Sequence, residues 1–198
     1  MADGHKDESA IRSASGLILG IASSGRRHGN SATLLEGILD RLRGDFQTEL
    51  VFLADLTIQP CNGCHYCEAR GECRLEDDMV GLYPKLLEAD AVLLASPAYM
   101  GGLASRMQAF MDRTWPLRKG QLAGKVGSYV LTGRRRIGMG TGVMEEYLTR
   151  LGMTKLPGVL GFAFEPGQIA QDHEAWVQVD RLAKACRNHL NLTVKTNE

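Results

Sequence analysis

The sequence Leu17-Ile-Leu-Gly-Ile21 is followed by a polar loop, Ala22-Ser-Ser-Gly-Arg-Arg-His-Gly-Asn-Ser31, and then by a segment from Thr33 to Leu42. The first run is short and continuously apolar, which is typical of a strand covered on both faces in a parallel sheet. The segment 33–42 has apolar residues at positions 34, 35, 38, 39 and 42, the spacing of one helix face. This stretch predicts a strand, a loop and a helix, the repeating unit of an α/β fold.

Four further apolar segments continue this alternation, at 47–53, 91–95, 125–131 and within 155–164. Helical spacing occurs between them, and a last helix is expected from about Asp172 to Leu192. Five strands alternating with helices predict an α/β fold with a doubly wound, five-stranded parallel sheet in the flavodoxin-like order 2-1-3-4-5. In that fold, ligands bind beyond the carboxyl ends of the strands, between the first and third.

The polar loop after the first strand brings backbone N–H groups and a helix N-terminus to one point, and both attract phosphate. It matches neither G-x-x-x-x-G-K-[ST] nor G-x-G-x-x-G. The loop therefore predicts a site for a single phosphate group, with helix capping by Asn30 or Ser31 as the alternative. The candidate side-chain donors are Ser23, Ser24, Asn30 and Ser31, together with Arg26 or Arg27.

The loop after the third strand, Ser96-Pro-Ala-Tyr-Met-Gly-Gly102, suits the edge of a flat heteroaromatic ring. Tyr99 could stack on such a ring and Met100 or Gly101 could donate a main-chain N–H, although ordinary core packing is the alternative for Tyr99 and Met100. The loop after the fourth strand begins Thr132-Gly-Arg-Arg-Arg136. Its arginines suit a nucleotide phosphate, a flavin N1–C2=O edge or a solvated basic surface. Because three loops meet at one sheet edge, we expect FMN to bind there.

The second strand is followed by the cysteine-rich loop 57–79, which contains Cys61-Asn-Gly-Cys64-His-Tyr-Cys67-Glu-Ala-Arg-Gly-Glu-Cys73. The spacing is typical of a [4Fe-4S] cluster bound by Cys61, Cys64, Cys67 and Cys73. Gly63 and Gly71 favour a tight loop because glycine adopts positive φ readily. Structural zinc and unmetallated thiols remain alternatives.

Length and charge limit the possible partners. We expect residues 1–15 to form a mobile arm and residues 16–198 to form one domain. The 23 basic and 23 acidic residues give a net charge of zero, which argues against nucleic acid. No apolar run reaches the roughly 18 residues that a membrane span needs, and the first twelve residues lack the pattern of a signal peptide. We therefore expect a cytoplasmic protein with no membrane partner, in which the thiols stay reduced.

These motifs resemble those of the NADPH-dependent FMN reductase superfamily, and within it the iron-sulfur flavoproteins. The resemblance covers about residues 16–165 and rests on the polar loop, the cysteine motif with Asp77-Asp-Met79, and Ser96–Gly101 with Phe110-Met-Asp-Arg113. It implies a homodimer or a tetramer. It also implies FMN phosphate on Ser23, Arg26, Asn30 and Ser31, the ring against Pro97, Ala98, Tyr99, Met100 and Gly101, and further contacts from Thr132, Gly133 and Arg134.

The combined prediction is an electron-transfer oxidoreductase containing FMN and a [4Fe-4S] cluster, with no separate acid–base or nucleophilic residues. Its electron donor or acceptor could be NAD(P)H or a protein such as ferredoxin. One alternative is an NAD(P)H-dependent FMN or quinone reductase without a cluster. Another is a zinc-stabilised redox-sensing or interaction module.

Overall fold

The computed structural model describes residues 16–196, and their side chains as far as residue 191, so the expected arm at 1–15 lies outside the described residues. The strands are β1 (Leu17–Ala22), β2 (Gln47–Phe52), β3 (Ala91–Tyr99), β4 (Gly102–Leu103), β5 (Val126–Gly133), β6 (Thr154–Lys155) and β7 (Val159–Phe162). The α-helices are α1 (Asn30–Leu42), α2 (Tyr66–Arg70), α3 (Met79–Glu88), α4 (Ser105–Arg113), α5 (Gly140–Arg150) and α6 (His173–Thr196). The predicted alternation of strands and helices is confirmed.

The strand order is β2-β1-β3-β5-β6, with every pair on this path parallel. This order confirms the predicted doubly wound α/β class, but the prediction of five strands is wrong in detail. The last position holds two short strands, β6 and β7, which both pair with β5. Pro157 lies between them and has no N–H to donate to a ladder, so the strand is interrupted there.

The extra strand β4 pairs antiparallel with the end of β3. The two-residue turn between them consists of Met100 and Gly101, whose φ angles are 50° and 79°. Two consecutive positive φ angles are the signature of the tight hairpin turn that matches strand twist, and the first of them is unusual for a methionine. The loop after β3 is therefore a rigid hairpin, not an open coil.

Alternate residues of the central strands face two separate apolar layers. Ile18 and Ala22 of β1 pack with the helices α1 and α6, whereas Leu19 and Ile21 pack with α3, α4 and α5. Burial of both faces explains why these strands are continuously apolar in sequence. Within the described part of the chain, no helix is long and apolar enough to cross a membrane.

The last helix is fixed by Asp172, as its sequence predicts. Asp172 Oδ1 accepts a hydrogen bond of 3.0 Å from the Ala175 N–H, which caps α6. Its other oxygen accepts one of 2.7 Å from the N–H of Phe162 in β7. Farther along α6, Gln178 accepts from the Leu160 N–H at 3.0 Å and donates to the Leu160 carbonyl at 3.3 Å. Side chains thus form hydrogen bonds with the backbone N–H and C=O groups on the outer edge of β7.

Glu145 of α5 connects three elements through Tyr129 in β5, at 2.9 Å, and Lys155 in β6, at 3.0 Å. The bond from Lys155, and then that from Tyr129, holds the pKa of Glu145 below its ordinary value despite partial burial. A depressed carboxyl pKa contributes stability that is present above the unfolded-state pKa of about 4.3 and is lost as the pH falls through the folded-state value.

We therefore expect Glu145→Gln, which keeps an acceptor for Tyr129 but removes the charge, to lower the free energy of unfolding slightly at pH 7. The difference from wild type should shrink towards zero as the pH falls below about 4.3. Urea unfolding at pH 7 and pH 3 measures both quantities. A difference that did not change with pH would contradict this account.

Candidate functional site

A cavity of about 370 Å³ lies at the carboxyl edge of the sheet. Its walls are formed by the loops after β1 and β7, by the last residues of β3, and by the end of β5 with the residue that follows it, so it occupies the position predicted for a ligand in this fold. Most of the predicted binding residues meet here. They are Ser24, Arg26, Asn30, Ser31, Pro97, Ala98, Tyr99, Thr132, Gly133 and Arg134.

Three predicted residues lie outside the lining of this cavity. Ser23 is buried, and its hydroxyl donates a hydrogen bond of 3.1 Å to the Ala95 carbonyl, which joins β1 to β3. Met100 and Gly101 form the tip of the hairpin after β3, where the Met100 side chain is fully exposed. The structure places these three around the cavity and not in its wall.

The two candidate arginines of the first loop have different positions. Arg26 lines the cavity, and its backbone N–H donates to Ser24 Oγ at 3.1 Å. Arg27 instead pairs with Asp55 at 2.6 Å and lies over the ring of Phe52. Of these two arginines, Arg26 is therefore the one that lines the cavity.

Asn30 uses both ends of its amide on the loop after β7. Its Nδ2 donates to the Glu165 carbonyl at 3.0 Å, and its Oδ1 accepts from the Gly167 N–H at 2.9 Å. Asn30 therefore holds the fourth wall of the cavity, formed by residues 163–166, against the N-terminus of α1. This wall was not predicted from the sequence, although it follows the carboxyl end of the last strand, where ligand-binding loops of this fold lie.

Ser31 is the most informative residue of the cavity. Its side chain is buried, with 1% exposure, and its hydroxyl has no hydrogen-bond partner among the described residues. The residue before α1 that would cap it is Gly29, and no side chain caps this helix. An unsatisfied buried hydroxyl costs about 1–3 kcal/mol and is rare in native proteins. A free donor at the first turn of a 13-residue helix suits a bound phosphate group.

The second and third loops fix each other beside the cavity. Gly138 has a φ of 65° and lies so close to the Gly101 backbone that a Cβ atom there would clash. The Met139 N–H also donates to the Gly101 carbonyl at 2.8 Å. The position of Tyr99, which is half exposed at the cavity rim, is therefore set by the loop that carries Thr132 and Arg134.

The cysteine loop follows β2, the strand at one end of the sheet. Cys61 and Cys64 are exposed, Cys67 and Cys73 are half-buried, and all four are free thiols. The positive φ angles expected at Gly63 and Gly71 are confirmed, and His65 adds a third. Within residues 16–196, no group of three or more His, Cys, Asp or Glu side chains is close enough to hold a metal ion. The four sulfurs are therefore not gathered around one centre in this structure.

The half-buried thiols nevertheless share one electrostatic environment. Burial raises the pKa of the Cys67 thiol, charges on Cys73 and Cys61 act in the same direction, and Arg118 opposes them. Burial also raises the pKa of Tyr83, and Cys73 is the next contributor. Cys61 and Cys73 thus lie close enough to Cys67 to act on its thiol electrostatically.

The neck of the cysteine loop is closed by a buried ion pair between Arg113 and Asp77. The two side chains are 0% and 3% exposed, and the guanidinium contacts both carboxylate oxygens, at 2.6 and 3.0 Å. Arg113 also donates to the carbonyls of Gln59 and Leu75, which lie two residues before the first cysteine and two after the fourth. One side chain from α4 therefore holds both ends of the cysteine segment.

Asp77 completes this neck. One of its oxygens accepts a hydrogen bond from the Gln59 N–H at 2.8 Å, and the other from the Met79 N–H at 3.1 Å. Burial alone would raise the pKa of Asp77, but the hydrogen bonds from Arg113 and the backbone hold it below its ordinary value. Asp77 and Arg113 belong to separate sequence motifs, and their pairing was not predicted from the sequence.

Fold and cavity together define a flavodoxin-like protein with a cavity at the carboxyl edge of its sheet. The family model described as NADPH-dependent FMN reductase matches residues 17–165. The chain belongs to this family of flavin-dependent oxidoreductases, as its motifs predicted.

Two curated relatives are iron-sulfur flavoproteins from archaea. The relative from Methanocaldococcus jannaschii is 39% identical over 123 residues, which cover 61% of this chain and 64% of the relative. The relative from Archaeoglobus fulgidus is 33% identical over 161 residues, which cover 78% and 72%. The match thus spans less than two thirds of the first relative's own length.

Among solved structures, a flavodoxin from the domain Archaea superimposes with a TM-score of 0.59 at 14% identity. The superposition covers 88% of this chain and 99% of that one. At this level of identity the comparison supports the fold alone, and it confirms the flavodoxin-like class.

We expect either Asp77→Asn or Arg113→Met to lower the free energy of unfolding by about 3–5 kcal/mol, because each leaves a buried partner without its counter-charge. Urea unfolding measures the loss. The exposed pair of Arg43 and Asp40, 2.9 Å apart, provides the control, since Asp40→Asn should cost less than about 1 kcal/mol. Equal losses for the buried and exposed pairs would contradict the role assigned to the neck.

Proposed function

We propose that this chain is an oxidoreductase that binds FMN in the cavity and a [4Fe-4S] cluster on the cysteine loop. The observation that carries the FMN assignment is the buried Ser31 hydroxyl, which lacks a partner among the described residues and lies in the first turn of α1, at the cavity beyond the carboxyl ends of the strands. When bound, FMN exchanges two electrons as hydride or one at a time, and a [4Fe-4S] cluster exchanges one.

The residues of the cavity would divide the binding of FMN between them. Ser31, Ser24 and the guanidinium of Arg26 would hold the phosphate, with the α1 N-terminus adding its dipole. Pro97, Ala98 and Tyr99 would contact the ring, and Thr132, Gly133 and Arg134 would close the opposite side. Asn30 would act indirectly, because its amide is already used to position the loop after β7.

The four cysteine thiols and the ion pair that fixes their loop support the proposal of a [4Fe-4S] cluster. Four unpaired thiols occupy one loop in a spacing typical of such a cluster, and Arg113 and Asp77 fix both ends of that loop. The positive φ angles at Gly63 and His65, on either side of Cys64, allow the exposed tip to turn sharply. Binding would require the tip to draw inward while the neck stays fixed.

A reductase of FMN or quinones without a cluster is the second candidate. The separated sulfurs favour it, because no three of the described potential ligands lie close enough for a metal. A zinc-stabilised module is a third possibility for the same four thiols. NAD(P)H or ferredoxin as electron partner, the homodimer or tetramer, and the cytoplasmic location remain predictions.

We expect Ser31→Ala to weaken FMN binding about 10- to 100-fold, because a charge-assisted hydrogen bond is lost. The same substitution should leave the flavin-free protein equally or more stable, since the hydroxyl has no partner there. Flavin fluorescence titration and urea unfolding measure the two effects. Ser128→Ala is the matched control, because its buried hydroxyl donates to Pro157 outside the cavity and should affect stability but not FMN. Unchanged FMN affinity in Ser31→Ala would refute the phosphate assignment.

Anaerobically purified protein should contain about four iron and four sulfide per chain beside one FMN. Cys73→Ala should lose the iron and keep the flavin, whereas Cys186→Ala should keep both. Cys186 is buried in α6 and burial raises the pKa of its thiol to about 12, so it is the cysteine least suited to bind a metal. Iron-free protein with FMN would favour the second candidate, and stoichiometric zinc the third.

A further inference from the structure

Three buried side-chain atoms in the described residues have no hydrogen-bond partner: Ser31 Oγ, Arg113 Nε and Arg118 Nη1. The first faces the FMN cavity, and the second lies at the neck of the cysteine loop. Arg118 lies in neither place: its side chain is 27% exposed, and its Nη2 is 3.5 Å from Glu68, next to Cys67 in α2. Because an unpartnered buried donor is costly, and more so when it is charged, Arg118 needs its own explanation.

Arg118 lines a separate cavity of about 320 Å³, which shares no wall residue with the first. This second cavity lies between the turn Trp115–Lys119, which follows α4, and the C-terminal half of α5. Its volume is at the lower end of the range for small-molecule sites, about 300–1,000 Å³. It is therefore large enough for a one- or two-ring molecule.

The wall of the second cavity is strongly cationic. Arg118, Lys119 and Arg150 contribute to it, and none of its described lining residues is acidic. Their acidic partners lie outside the lining and neutralise them only in part. Glu68 is 3.5 Å from Arg118 Nη2, longer than a good hydrogen bond, and Glu146 pairs with Arg150 at 2.8 Å on the exposed face of α5.

One wall of the second cavity is flat and aromatic. The indole of Trp115 is 42% exposed, and the Arg118 guanidinium lies over it at 4.6 Å from the ring centroid. The Thr114 hydroxyl is 2.7 Å from the Met111 carbonyl, to which it donates, and 3.1 Å from the Tyr147 hydroxyl, so both hydroxyls have partners. The groups of this cavity that remain for a ligand are therefore the Arg118 guanidinium and the exposed part of the Trp115 ring, on which it stacks.

We propose that the second cavity binds a small anion that carries a flat ring, with its carboxylate or phosphate on Arg118 and its ring against Trp115. This site goes beyond the proposed function and does not depend on either cofactor. It also contacts the cysteine loop, because Arg118 and Lys119 both reach Glu68 in α2, next to Cys67. The ligand would thus bind against the helix that carries Cys67.

The test is isothermal titration calorimetry of the protein as purified, with three probes of one ring system. These are 2-naphthoate, 1-naphthyl phosphate and neutral 2-naphthalenemethanol, so that the two anionic arms distinguish a carboxylate from a phosphate ligand. At least one anion should bind, should bind about tenfold or more tightly than the alcohol, and should weaken as salt is added. No anion binding, or equal binding of the alcohol, would overturn the proposal.

Arg118→Gln should weaken binding of the preferred anion at least about tenfold, because it removes the charge-assisted bond. The matched control is Arg43→Gln, an exposed arginine on the other side of the sheet that should change nothing. Thermal melting of both variants checks folding. Quenching of Trp115 fluorescence in a Trp176→Phe background, where Trp115 is the remaining tryptophan, should follow the same titration. Binding unchanged by Arg118→Gln, or without quenching, would place the probes elsewhere and overturn the assignment.

Discussion

The ion pair between Arg113 and Asp77 is the constraint on which the arrangement of this molecule depends. Burying a guanidinium and a carboxylate is costly, and close pairing with further hydrogen bonds offsets that cost, although Arg113 Nε has no partner among the described residues. Here the partners include backbone groups at both ends of the cysteine segment, so charge neutralisation and loop closure are one event. Tyr83 donates to the Arg113 carbonyl at 2.7 Å and fastens the end of α4 to α3. An otherwise exposed loop thereby gains a fixed base.

The sheet edge forms the cavity, whereas the neck positions the cysteine loop. The carboxyl ends of β1, β3, β5 and β7 bring four loops to one cavity, which the parallel arrangement makes nearly unavoidable. The cysteine loop also begins at this edge, after β2, and its two ends are held by Arg113 at the end of α4. The contact of Arg27 with Asp55 and Phe52 links the two regions, since it ties the first cavity loop to the segment that leads into the cysteines.

Most of the fold could be predicted from sequence because it rests on local signals. Buried strands such as β1 are continuously apolar, and Asp172 marks the start of α6 in the sequence itself. The interruption by Pro157 has a local signal too, but the sequence does not say that the chain rejoins the same sheet edge two residues later. The hairpin at Met100 could not be foreseen, because a positive φ is unusual for methionine, and the contact between Gly101 and Gly138 joins two loops that are distant in sequence.

The site was predictable in outline but not in its division of roles. Arg26 and Arg27 are equivalent in sequence, and only Asp55 and Phe52, brought in from another strand, distinguish them. The pairing of Asp77 with Arg113 across 36 positions is likewise invisible in either motif alone. A different consequence follows from Gln178 and Asp172, whose side chains mimic a neighbouring strand along β7. That margin of the sheet is already sealed by its own chain, so edge-to-edge polymerisation through β7 is blocked.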